Sequence, residues 1–201
     1  MAKALNKDRV RDSRIIAAAT VVLFLFSSTL IPVESMAHES FEYAGYFLVT
    51  ICALGRVYTS AFLGGYKNEQ LITYGPFSIV RNPLYFFSLV GIAGLSMMTS
   101  HLLFMVFNPV LFYTMYTRLI KREEGFLLEK FGSPYRDYLA AVPRLMPRFS
   151  LYHAPEEIHV QPHFVNKALM DAIWWFVPYP LFELIELLHE KDILPTLLLI
   201  P

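Results

Sequence analysis

The sequence predicts an all-α polytopic membrane protein with about four transmembrane helices. Three observations predict it: an excess of apolar residues, their division into separate runs, and an alternation of charge between the connections. Of the 201 residues, 55% are hydrophobic, 15% aromatic and only 17% charged, with a mean hydropathy of +0.43. A soluble domain of this size cannot bury that much apolar material, so lipid is the solvent the composition fits. Basic and acidic residues balance at 17 each. With no net basic field, nucleic acid is excluded as a partner. The lone Cys52 sits inside an apolar run and can build neither an intramolecular disulfide nor a cysteine-rich zinc site.

About 20 apolar residues cross a hydrocarbon core. The runs that fit are Arg14 to Val33, Tyr43 to Leu63, Leu84 to Met98, and His101 to Ile120. The first follows a basic tail (Lys3, Lys7, Arg9, Arg11) and superficially resembles a signal peptide. It lacks a good small-residue cleavage pattern and is followed by more membrane segments, so it reads as the first transmembrane helix. Thr99 and Ser100 leave room only for a tight turn, which makes the third and fourth runs an antiparallel hairpin.

Charge sets the expected orientation. The loop around Glu34, Glu39 and Glu42 carries no Lys or Arg, whereas the tail, the connection with Lys67 and Arg81, and the segment with Arg118, Lys121 and Arg122 do. By the positive-inside rule the N-terminus, the loop from Gly64 to Asn82, and the chain after Ile120 are expected to be cytoplasmic. Arg56, inside the second run, is costly in lipid and should point into a polar cavity or lie near the cytoplasmic end.

From Glu123 to Val142 the spacing of Phe126, Leu127, Phe131, Tyr135 and Tyr138 predicts an amphipathic helix on the membrane surface, interrupted at Gly132 to Pro134. Pro143 to Pro162 reads as a loop. Asn166 to Leu188 is apolar again, but Asp171, Glu183, Glu186, Pro178 and Pro180 favour an interfacial or broken helix over a fifth span. The chain thus divides into N-terminal helices (1–63), a core carrying the concentrated polar signals (64–149), and a C-terminal loop and apolar segment (150–201).

Two elements carry chemistry. The first is Gly75-Pro76-Phe77-Ser78-Ile79-Val80-Arg81-Asn82-Pro83-Leu84-Tyr85. Asn82 suits a helix N-cap and Pro83 the first helical position; alone, Arg81 reads equally as a positive-inside anchor. The second runs from Glu123-Glu124 through Tyr135 and Tyr138 to Val142-Pro143-Arg144. Alone, its carboxylates are equally a solvated face paired with Lys121 and Arg122, and its tyrosines interfacial anchors. His153, His159 and His163 with Glu156 and Glu157 read as solvated loop, and no metal site is assigned.

In this order, separated by a hairpin that carries Asn108-Pro109, the two elements resemble the signature of the isoprenylcysteine carboxyl methyltransferase and phospholipid methyltransferase superfamily. The resemblance covers roughly Leu71 to Phe149. It implies an integral membrane enzyme that uses S-adenosylmethionine, with Arg81, Asn82, Tyr85, Glu123, Glu124 and Tyr135 at the cofactor and Arg81 and Glu123 in catalysis. Two departures stand out. Asn82 occupies the place where the isoprenylcysteine enzymes usually carry His, and Arg118 lies five rather than four residues before the first Glu.

The acceptor implied is a lipidic or hydrophobic molecule reached from the bilayer. Carboxyl O-methylation is preferred, with phospholipid amine N-methylation second. In-line displacement at a sulfonium methyl needs alignment and dehydration rather than a metal or a covalent nucleophile. Arg81 suits a carboxylate, and Glu123 a proton from an amine acceptor. The rival expectation is a non-catalytic subunit of a membrane complex whose C-terminal segment docks a membrane-protein partner.

Overall fold

A computed structural model describes residues 18–64 and 69–201. The basic tail, the start of the expected first span, and Lys67 lie outside the described residues. The elements are α1 (18–25), β1 (Ser27–Thr29), α2 (Met36–Leu63), α3 (Pro76–Ile79), α4 (Pro83–Met98), α5 (Leu102–Phe131), α6 (Ser133–Ala141), a single 3-10 turn (Phe149–Leu151), α7 (Pro162–Ile173), α8 (Pro178–Glu190) and β2 (Leu198–Ile200). The all-α polytopic architecture is as expected. α2, α5 and the combined Pro162–Glu190 segment are each long and apolar enough to cross a membrane. Their outward faces carry Phe47, Leu54, Val106, Val110, Met170 and Ile173, all exposed. Such faces belong in hydrocarbon, and the protein is an integral membrane protein.

α2 begins at Met36 rather than Tyr43 because Ser35 caps it, its hydroxyl accepting from the His38 amide at 3.2 Å. Its 28 residues span about 42 Å. α4 is shorter, 16 residues or about 24 Å, with Pro83 in its first turn. The expected Thr99-Ser100 turn follows, Ser100 adopting a φ of 52°, and α5 returns antiparallel. The Asn108 amide, donating to Ser96 Oγ at 3.1 Å, ties the two arms of this hairpin.

Two expectations need correction. The helix expected through Val33 stops at residue 25, because the hydroxyls of Ser27 and Thr29 find partners outside a helix: Ser27 Oγ with His101 Nε2 at 3.2 Å, Thr29 Oγ1 with the Ser100 carbonyl at 2.7 Å. Ser27–Thr29 instead pairs in parallel with Leu198–Ile200. The surface helix expected from Glu123 is also absent as such, since α5 runs unbroken to Phe131 and carries Glu123 and Glu124 on its own last turns. Hydropathy falls there while helix propensity does not. The interruption expected at Gly132 is present, with Gly132 at a φ of 62° and α6 beyond it.

α2 and α4 cross backbone to backbone. A Cβ on Gly45 would lie 2.5 Å from the Gly94 carbonyl oxygen, and one on Gly94 would lie 2.7 Å from that of Gly45. Small residues at such crossings let membrane helices approach closely, where dispersion rather than hydrophobic exclusion holds them. Further along, Arg56 of α2 satisfies its charge against α4, donating to Ser88 Oγ at 2.6 Å and the Leu84 carbonyl at 3.4 Å, with its guanidinium 5.7 Å from the Trp175 ring. The polar setting expected for Arg56 is thus a neighbouring helix and an indole face.

The broken helix expected over Asn166 to Leu188 is α7 and α8, separated by a turn at 174–177. It does not lie flat. Phe164 packs on Gly64 at one end of α2 and Glu186 faces His38 at the other, so α7–α8 runs antiparallel to α2 along the full height of the bundle. The fifth crossing, the less favoured expectation, is the one this path fits.

Candidate active site

The first element forms a bent strap held by the segment after α6. Gly75, at a φ of 61°, donates its amide to the His153 carbonyl at 2.7 Å, and Ser78 Oγ accepts from the His153 amide at 3.2 Å. Tyr138 donates its hydroxyl to the Phe77 carbonyl at 2.7 Å. The Arg81 amide bonds the Pro143 carbonyl at 2.9 Å and the Arg148 amide the Ile79 carbonyl at 2.8 Å. These bonds lay residues 142–148 alongside residues 79–82, at the base of α4.

That pairing assembles the polar cluster. Asn82 caps α4 with its backbone carbonyl, which accepts from Tyr85 and Phe86, and its side chain turns elsewhere. Its Nδ2 donates to the Arg144 carbonyl at 3.0 Å and reaches Glu124 Oε1 at 3.5 Å. Glu124 is buried, 6% exposed, and is clamped by Arg144: Nε donates to Oε2 at 2.9 Å, and Nη2 lies 2.8 Å from the same oxygen. Arg81 Nε stands 3.5 Å from Glu124 Oε1, is buried, and has no hydrogen-bond partner among the described residues. One helical step away, the Tyr85 hydroxyl donates to both oxygens of Glu123 at 3.1 Å.

Tyr135 is 2% exposed and packs with Tyr138, Val142, Leu127 and Leu128. Burial, and then the charge of Glu124, push its phenol up to about 12, so it is neutral at physiological pH. From Tyr85 an aromatic track runs along α5 into the membrane, Tyr85 tilted against Tyr116 at 5.4 Å between centroids and Tyr116 stacked on Phe112 at 4.0 Å.

The structure therefore brings together Arg81, Asn82, Tyr85, Glu123, Glu124 and Tyr135, all the residues the sequence nominated. It adds Arg144, quoted in the Val-Pro-Arg element but given no role; a basic residue at the end of a motif whose carboxylate must be buried was the available signal. Arg118 is exposed on α5, away from this cluster of bonds. His153, His159 and His163 are exposed as well.

Paired carboxylates and two arginines at the foot of a helical hairpin, with an aromatic track along α5, make this the most concentrated polar cluster of a helical membrane protein. The chain belongs to the phospholipid methyltransferase family, whose model matches residues 43–134, from α2 through the α5–α6 junction. It is 31% identical over 153 residues to the nickel-cobalt-cadmium resistance protein of Alcaligenes xylosoxydans xylosoxydans, covering 76% of this chain and 71% of that one. It is also 31% identical over 146 residues to the cobalt-zinc-cadmium resistance protein of Cupriavidus metallidurans, covering 73% and 67%. No solved structure matches.

Proposed function

We propose that this protein transfers a methyl group from S-adenosylmethionine to a lipid-borne acceptor at the cytoplasmic face of the membrane. The observation that carries the reading is the charge arrangement at the base of α4. Glu124 is clamped by Arg144, while the buried Nε of Arg81, 3.5 Å from Glu124 Oε1, has no hydrogen-bond partner among the described residues, and Tyr85 holds the neighbouring Glu123. Arg81, whose charge faces Glu124, has donors that suit the carboxylate of the cofactor's amino-acid end, and Glu123, held by Tyr85, has oxygens that suit its ammonium. When bound, the cofactor supplies a methyl group on a positively charged sulfur. Tyr85 holds the Glu123 carboxylate with its hydroxyl, while its ring, packed at a tilt against Tyr116, offers an electron-rich face to a cation. Phe112 and Tyr116 give an acyl chain an apolar path to that point. Tyr135, neutral and buried, shields the ion pairs from water, which strengthens them.

Two acceptors suit this geometry. An amine must shed a proton before it attacks, and Glu123 stands where one can be accepted; the description of the matched family supports this reading. A carboxylate acceptor, preferred on sequence, draws support from the spare donor of Arg81. Methyl transfer from labelled S-adenosylmethionine should be measured on phosphatidylethanolamine vesicles and on a prenylated cysteine. With an amine acceptor, Glu123→Gln should bind cofactor within about tenfold of wild type yet lose at least roughly 100-fold in turnover. With a carboxylate, its effect should lie in cofactor affinity alone. Cofactor binding without transfer to either acceptor would overturn catalysis in favour of a non-catalytic subunit that docks a membrane partner through residues 166 onward. Both relatives are named for resistance to divalent metals, which supports a role for the methylation in membranes exposed to such ions.

The orientation has its own test. Single cysteines at Glu39, near the start of α2, and at the exposed Glu129, near the end of α5, should be labelled from opposite sides of the membrane, Glu129 from the cytoplasm. The buried Cys52 gives a silent background. Labelling of both from one side would overturn the topology.

A further inference from the structure

At the end of the bundle away from Arg81 and Glu124, two helices place metal-ligating side chains together. His38 and Glu42 stand one turn apart on α2, Glu186 faces them from α8, and one ligand atom from each lies within 4.8 Å of the others. His38 is 3% exposed, and its Nε2 lies 3.6 Å from Glu42 Oε1 and 3.5 Å from Glu186 Oε2. Its Nδ1, also buried, has no hydrogen-bond partner among the described residues. We propose that His38, Glu42 and Glu186 bind a divalent transition-metal ion of the Zn2+ or Co2+ kind.

The spacing carries the argument first. Separations of 3.5 and 3.6 Å are long for N–H···O bonds, which cluster near 2.9 Å. Two donors each about 2.0–2.2 Å from a tetrahedral ion stand about 3.3–3.6 Å apart. Charge comes second. Two carboxylates against a buried imidazole, with Glu39 and Glu183 in electrostatic range, call for a cation between them, the more so next to hydrocarbon. One imidazole with carboxylate oxygens is a donor set for borderline ions rather than for Ca2+ or Cu+.

Access is the third support. Glu186 also lines a cavity of about 270 Å³ walled by His101, His189, Ser27 and Thr29, which gives an ion a route and leaves space for a water as fourth ligand. The Ser35 cap, bonded to the His38 amide, fixes the first turn of α2 before any ion arrives. This site is independent of the methyl-transfer reading, and His38 and Glu186 lie 148 positions apart in the sequence.

The test is titration of the full chain in detergent, affinity tag removed, with Zn2+ by calorimetry and with Co2+ by its visible absorption. Wild type should take up one equivalent, as should a variant with His153, His159 and His163, all exposed, changed to alanine. Glu186→Gln and Glu42→Gln preserve shape and should weaken binding by more than the roughly 10–100-fold typical of an outer-shell partner. Unchanged binding in both variants, loss of binding in the triple-alanine control, or no uptake by wild type would overturn the site in favour of a proton on His38 as the cation. Should the glutamine variants fail to fold, X-ray absorption of the Zn2+-loaded wild type decides: one imidazole with oxygen donors is expected, and a shell without imidazole overturns the proposal.

Discussion

Glu124→Ala should lower affinity for S-adenosylmethionine by about 100-fold or more and melt the protein roughly 5–10 °C earlier. The carboxylate joins three parts of the chain: α5 itself, Asn82 at the head of α4, and Arg144 in the strand-like segment after α6. Truncation strands Arg81, which is 10% exposed, with its counter-ion gone. Removing one partner of a buried pair costs about 3–5 kcal/mol. Arg144 is 40% exposed and can turn to water, so about 2–3 kcal/mol is the better figure, worth roughly 2–4 °C per kcal/mol at this chain length. The affinity loss comes from released geometry, since residues 142–148 hold Arg81 and Asn82 in place. Arg144→Ala should produce a related defect, and the double variant should be less damaged than the sum, because both remove one clamp. Calorimetry showing wild-type affinity for Glu124→Ala, with an unshifted melting curve, would reduce Glu124 to an incidental charge.

Gly45→Leu should have the larger effect on folding itself. A side chain there meets the Gly94 carbonyl and the Met98 amide, and neither can move without displacing α4 from α2. Overpacking commonly costs about 1–3 kcal/mol, and the upper end or beyond applies where the obstacle is backbone rather than a flexible side chain. Separation would also break the Arg56–Ser88 bond and uncover a charge in the bilayer. Gly94→Leu should fail in the same way. Gly125→Ala on α5, where a new Cβ meets nothing within 4 Å among the described residues, should be neutral or stabilise by up to about 1 kcal/mol. Unfolding by detergent titration distinguishes the three, and a Gly45→Leu variant as stable as wild type would show that the helices do not cross where described.

What the sequence made legible was local. The hairpin at Thr99-Ser100, the break at Gly132, the loop after Pro143 and the start of α4 at Pro83 all follow from turn chemistry or from proline and glycine within a few residues. The candidate site was legible because both its halves are contiguous motifs; their meeting came from resemblance, since nothing in either stretch shows that Asn82 will touch Glu124. Long-range geometry was hidden. Hydropathy marks where a chain leaves lipid, not where a helix stops, which is why α5 ran past Ile120. The triad of His38, Glu42 and Glu186 looked like two unrelated sets of polar residues flanking apolar runs. Arg56 looked misplaced only while its partners Ser88 and Trp175 were unknown.

The pairing of Ser27–Thr29 with Leu198–Ile200 bears on the order in which this chain assembles. The α4–α5 hairpin joins neighbours in sequence and can form as soon as both arms are in the bilayer. The parallel strand pair joins residues 171 positions apart, as Ser27 with Leu198, and closing so long a loop is entropically slow. It belongs to the last stage, after α7–α8 has come to rest on α2. The cavity beside Glu186 takes its Phe24–Thr29 wall from the start of the chain and Thr196 from beside the final strand. The far-side pocket is thus completed only by final closure, whereas the contacts of Arg81, Glu123 and Glu124 lie wholly between Phe77 and Arg148 and are available before it.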